Sequence, residues 1–111
     1  MEFLLTSNEP QSIKDLPWKD KPIITPLDFD ALLCCNRCML PIERKIVPGD
    51  LLSSVTDGRL DNELTAMREM SDHYVIIFHG DIKYKRNGLV DLNFRGQHPT
   101  KGWTKKGVRN L

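Results

Sequence analysis

Two mostly apolar runs, residues 30–35 and 38–43, are separated only by Asn36-Arg37. A two-residue break of this kind selects an antiparallel hairpin, and the hairpin fixes what lies at its open end. Antiparallel partners set the start of one strand against the end of the next, so Asp30 is expected beside Glu43. Two carboxylates at close range are costly unless a cation lies between them, so the pairing calls for a metal ion. Beyond Glu43 the alternation of a strand sends Lys45 to the same face and Arg44 to the opposite one. A carboxylate that holds the ion and a lysine that orients or deprotonates water suit magnesium-dependent phosphodiester hydrolysis. The triplet Glu43-Arg44-Lys45 taken alone equally describes a solvated strand edge or a surface ion pair.

The rest of the chain supplies an α/β frame for that hairpin. Residues 2–6 read as a first strand, closed by Ser7-Asn8-Glu9-Pro10, with Glu9 emerging at its end. Residues 11–22 lack sustained periodicity and read as loop, with one helical turn at 12–16; Trp18 there reads as a core-capping aromatic. A further strand is expected at 23–27. Asp50 suits the N-cap of a helix over 51–55, after a Pro48-Gly49 turn signal. Asp57-Gly58-Arg59 then interrupts the helical stretch, and Leu60, Leu64 and Met67 recur at the spacing of one buried helical face, with Met70 also read as core. Arg59 can meet a phosphate or pair with Asp57 or Asp61. Residues 74–78 form a continuous apolar run, expected as a central strand covered on both faces. His73 and His79 flank it, more as structural or exposed residues than as chemistry.

Cys34, Cys35 and Cys38 fall within five positions. Structural zinc needs four ligands, and no second Cys or His pair follows at suitable spacing. The cysteines are therefore read as small apolar residues of the hairpin in a reducing compartment, with no disulfide required.

Over residues 42–80 the order of motifs resembles the nuclease domain of the XPF family of structure-specific endonucleases, which includes the archaeal Hef proteins. The residues that carry the resemblance are Glu43-Arg44-Lys45, Asp50, Asp57-Gly58-Arg59 and the strand Val75-Ile76-Ile77-Phe78 followed by His79-Gly80. The resemblance implies a restriction-endonuclease-like core, a mixed central sheet flanked by helices. It also implies a Mg²⁺ site, with Mn²⁺ as substitute, held by Asp30 and Glu43, with Lys45 positioning the attacking water. Glu9, Arg44, Asp50 and Arg59 would support that site. The chain departs from the pattern in four places. Phe29 stands before Asp30 where the family has glycine, leaving Asp28 as a rival metal ligand, and one extra residue precedes Asp50. Thr6-Ser7-Asn8-Glu9 keeps only the glutamate of the first acidic motif, and His79 replaces a glutamate.

Composition matters mainly through its asymmetry. Residues 1–81 carry 8 basic and 14 acidic side chains, whereas residues 82–111 carry 8 basic and 1 acidic. The basic segment, with Lys83, Lys85, Arg86, Arg95, Lys101, Lys105 and Lys106 interleaved with Tyr84, Phe94 and Trp103, suits the phosphates and bases of a nucleic acid. A solubilising tail would have the same composition. Residues 104–111 read as the first turns of a helix, and the chain as one nuclease domain, residues 1–111, incomplete at its C-terminal end. The short apolar run Phe3-Leu4-Leu5 is no signal peptide or membrane span. The expectation is an intracellular DNA endonuclease for branched or flapped DNA in repair or recombination, working in a prokaryotic or viral host's cytoplasm or in a nucleus, as a homodimer or heterodimer. The alternative is a catalytically inactive nuclease-fold protein that binds DNA or a partner.

Overall fold

The hairpin closes at Cys35 opposite Cys38, with Asn36 and Arg37 at its turn. Every pair below it follows from that closure, through Cys34 with Met39 and Leu32 with Pro41 to Ala31 with Ile42. The computed structural model describes residues 1–90 and 104–109. In chain order its elements are β1 (Glu2–Thr6), α1 (Gln11–Lys14), β2 (Ile23–Thr25), β3 (Ala31–Cys35), β4 (Cys38–Ile46), α2 (Gly49–Thr56), α3 (Arg59–Met70), β5 (Val75–His79) and α4 (Lys105–Arg109). The class is α/β. The five strands form one mixed sheet in the order β2-β1-β3-β4-β5, with β1 parallel to β2 and antiparallel to β3.

The chain divides into two compact units, Met1–Arg44 with Asn62–Ile77, and Lys45–Asp61 with Phe78–Leu111. In the first, Phe29, Leu32 and Met67 form the buried centre, and Leu4, Leu27, Cys34, Leu64, Tyr74 and Ile76 pack around them. Apolar positions from three strands and one helix thus converge by simple periodicity: alternate residues on the strands, and Leu64 and Met67 one turn apart on α3. The indole of Trp18 lies 5.3 Å from the ring of Phe3 and its Nε1 donates to the Ile13 carbonyl. It is a packing aromatic whose one polar atom is satisfied.

In the second unit Leu51, Leu52 and Val90 are buried, and the Ser54 hydroxyl is accommodated there by donating to the Leu51 carbonyl. Residues 84–90 form a small hairpin, with Tyr84 bridged to Val90 and the Lys85 amide donating to the Leu89 carbonyl. Gly88 takes the positive φ that its turn demands.

Four sequence expectations are corrected. The apolar run at residues 74–78 predicts a central strand, but β5 lies at the sheet edge, with Val75, Ile77 and Phe78 exposed. Tyr74 and Ile76 pack against the Met67 core and alternation turns Val75 and Ile77 outward, but the edge placement is decided by which strands gather beside β5, not by its own apolar run. Met70 is 37% exposed although it shares the face of Met67, because it is the last residue of α3. Asp50 does not cap α2. That helix begins at Gly49 after Pro48, so Asp50 sits inside its first turn. Lastly, Cys35 and Cys38 are joined by a disulfide, because the closing pair of a two-residue hairpin brings their Cα atoms to 5.3 Å.

Candidate active site

The topology gathers acidic residues at one end of the first unit. Strand β1 runs against β3, and β3 against β4, so the end of β1, the start of β3 and the end of β4 share that end of the sheet. The ladder extends past the strand limits there, with the Thr6 amide donating to the Asp30 carbonyl at 2.8 Å. A tight turn follows β1, in which the Glu9 amide donates to the Thr6 carbonyl. This turn brings Glu9 back to the strand ends.

Asp30 lies one residue beyond the Ala31–Ile42 pair, in the register that sets it across from Glu43. Its Oδ2 accepts the backbone N–H of Arg44 at 2.7 Å. The Arg44 guanidinium reaches Glu9, with Nη2 3.1 Å from Oε2 and 3.4 Å from Oε1. Burial raises the Glu9 carboxyl above its ordinary value, and the neighbouring charge of Asp30 raises it further. Arg44 opposes both effects by charge and by hydrogen bonding, while a hydrogen bond between the Glu9 and Asp30 carboxyls favours the protonated form. Asp28 is exposed and Phe29 is buried in the core. The rival aspartate is thus separated from Asp30 by a side chain that points inward.

Along β4, burial alternates. Pro41, Glu43 and Lys45 are buried, while Ile42 and Arg44 are half-buried. Glu43 is 3% exposed and Lys45 2%. Such burial is uncommon for ionisable residues, and it separates this triplet from a solvated strand edge. Asp30 and Glu43, set opposite each other by the strand register, carry carboxylate oxygens, the hard donors that Mg²⁺ takes. Among the described residues no group of three or more His, Cys, Asp or Glu side chains is placed to hold a metal ion. Mg²⁺ typically keeps several waters and uses only one or two carboxylates, so the donors present fit it in kind.

The second unit holds its own polar cluster. Asp50 Oδ2 accepts the Ile46 amide at 3.3 Å. Arg59 Nε donates to Asp57 Oδ2 at 2.8 Å, its Nη2 donates to the Ser53 hydroxyl at 3.0 Å, and its Nη1 lies 3.9 Å from Asp50 Oδ1. The Arg59 amide donates to the Asp57 carboxylate, and this bond chiefly lowers the Asp57 pKa, aided by the charges of Arg59 and Lys45. Arg59 therefore ties the end of α2 to the start of α3. The sequence carried no signal for its bond to Ser53, six residues away.

Of the basic residues singled out for DNA, Lys83, Lys85 and Arg86 are exposed around the 84–90 hairpin. Lys105 and Lys106 fall in α4, with Lys106 exposed. Arg95 and Lys101 lie outside the described residues. No helix among the described residues is long and apolar enough to cross a membrane. No family model, curated protein or solved structure matches this chain.

Proposed function

We propose that this chain is a metal-dependent DNA endonuclease built on a restriction-endonuclease-like core. The observation that carries the reading is the register that sets Asp30 opposite Glu43 at one end of a mixed sheet, with Glu43 buried on β4. Asp30 and Glu43 would hold Mg²⁺ or Mn²⁺, which supplies charge to stabilise the phosphorane and the leaving oxygen. Lys45 would orient or deprotonate the attacking water. Arg44 neutralises Glu9 and so limits the negative charge that Asp30 must tolerate. The basic residues after Asp81 would track the phosphate backbone, with affinity falling as salt rises. Branched or flapped substrates, a role in repair or recombination, an intracellular location and a dimeric state belong to the same proposal through the resemblance to XPF-type nucleases.

A second reading, a nuclease-fold protein without activity, is favoured by one contact. Asp30 is already engaged by the Arg44 amide and shares a hydrogen bond with Glu9, a structural use that holds strands together with or without metal. The test is cleavage of labelled duplex, splayed-arm and flap DNA in Mg²⁺ or Mn²⁺, with Glu43→Ala and Lys45→Ala in parallel. Cutting that needs metal and is abolished in both variants supports the enzyme. Folded protein that binds DNA but never cuts it overturns the enzyme in favour of the inactive protein.

A further inference from the structure

The Cys35–Cys38 disulfide sits at the exposed tip of the β3–β4 hairpin and lines a cavity of about 600 Å³. The turn forms one wall, with Arg37 and Met39, and the end of α3 forms the other, with Arg68, Glu69, Asp72 and His73. All of these residues belong to the first unit. We propose that this disulfide is a thiol–disulfide exchange site for a low-molecular-weight zwitterionic thiol of the glutathione class. The proposal is independent of the nuclease reading.

Three observations converge on it. The two cysteines differ in exposure, with Cys38 exposed and Cys35 half-buried, which favours attack of an incoming thiolate at Cys38. The third cysteine is set apart. Cys34 is a free thiol that packs against the Phe29, Leu32 and Met67 core, whereas Cys35 and Cys38 line the cavity. The walls carry two guanidinium groups and two carboxylates, matching a small molecule that bears both carboxylates and an ammonium group.

The chemistry balances with two equivalents of the small thiol. The first thiolate attacks Cys38 Sγ, and the new S–S bond forms as the Cys35–Cys38 bond breaks. The electron pair leaves on Cys35 Sγ, which takes a proton from solvent. That sulfur lies 3.3 Å from the Cys38 carbonyl oxygen, an acceptor for the new S–H. A second thiolate attacks the small-molecule sulfur of the mixed disulfide and releases Cys38 as thiolate, which takes a proton from solvent. The protein disulfide gains two electrons and two protons, and two small thiols become one small disulfide.

The experiment incubates the folded protein in glutathione buffers of varied ratio, with thiol counting, mass spectrometry and circular dichroism of the same samples. Two thiols beyond that of Cys34 should appear together in reducing buffer with the fold retained, and the same two should appear in Cys34→Ser. With oxidised glutathione, Cys35→Ser, which keeps Cys38, should form its mixed disulfide about tenfold faster than Cys38→Ser, given the difference in residue exposure. Glutathione should also outpace neutral 2-mercaptoethanol at equal thiolate concentration, an advantage reduced in Arg37→Gln. A disulfide that persists until the chain unfolds overturns the proposal. So does a pair that stays as thiols in oxidised glutathione, or a rate that is equal for the two reagents.

Discussion

The carboxylate of Asp30 accepts the backbone N–H of Arg44 at 2.7 Å, while the Arg44 side chain reaches over to Glu9. One arginine thus links two acidic residues 21 positions apart in the chain, through its main chain to one and its guanidinium to the other. The acidic end of the sheet is therefore held together by polar contacts before any metal is considered, and its response to pH follows from that arrangement.

Glu9 titrates above its ordinary value of 4.5, chiefly because it is buried and then because Asp30 is charged. A carboxyl whose folded pKa is raised binds its proton more tightly in the folded state. Its stabilising contribution is therefore complete below about 4.5 and is lost as pH rises through the raised value. Glu9→Gln holds the group neutral and should remove this slope. Urea unfolding at several pH values between about 4 and 7 should show the wild type losing stability relative to Glu9→Gln on the way up; a constant difference would contradict the assignment.

Removing the arginine should act in the opposite sense. Arg44→Met leaves Glu9 and Asp30 close together without their shared cation. Breaking a fully buried pair costs about 3–5 kcal/mol, and because the Arg44 side chain keeps 23% exposure we expect roughly 2–3 kcal/mol at neutral pH. The loss should shrink in acid, where Glu9 is protonated. Denaturant midpoints at two pH values measure both.

If the metal reading holds, Glu43→Ala should abolish the Mn²⁺ binding seen by isothermal calorimetry and lower cleavage by about a hundredfold or more, the usual scale for losing one preorganised electrostatic contact. Lys45→Ala should lower cleavage while leaving Mn²⁺ affinity nearly unchanged. Binding of DNA to the exposed Lys83, Lys85 and Arg86 should survive both changes.

Two glycines offer a controlled comparison of backbone strain. Gly80 has φ +115, and a Cβ there would lie 2.5 Å from the Val47 carbonyl oxygen. Gly58 has φ +81 with nothing within 4 Å of a Cβ. Gly58→Ala should cost about 1 kcal/mol of left-handed strain, and Gly80→Ala roughly 3 kcal/mol, because the clash adds to the strain. Thermal unfolding of the two variants checks the order.

Met67 and Met70 separate core from edge. Met67 is 0% exposed, so Met67→Ala should cost about 2–5 kcal/mol through lost burial and an unfilled cavity. Met70→Ala, at an exposed helix end, should cost under about 0.5 kcal/mol.

Local rules written along the chain determined the hairpin turn at Asn36-Arg37, the first strand, the break at Gly58 and the buried face of α3 at Leu64 and Met67. Each depends on residues a few positions apart, where spacing and turn chemistry are enough. The hairpin register also brought Asp30 opposite Glu43 from sequence alone, since a two-residue turn leaves one pairing. Other features required partners distant in sequence. Whether β5 lay inside the sheet or at its edge depended on how many strands gathered beyond it, which its own apolar run did not encode. The joining of Cys35 to Cys38 depended on their meeting as the closing pair, and Arg44 became the counter-ion of Glu9 only when the turn after β1 swung that glutamate back to the strand ends. Periodicity acts along one element, but burial and charge pairing depend on which elements become neighbours, and that was settled by the packing of the whole sheet.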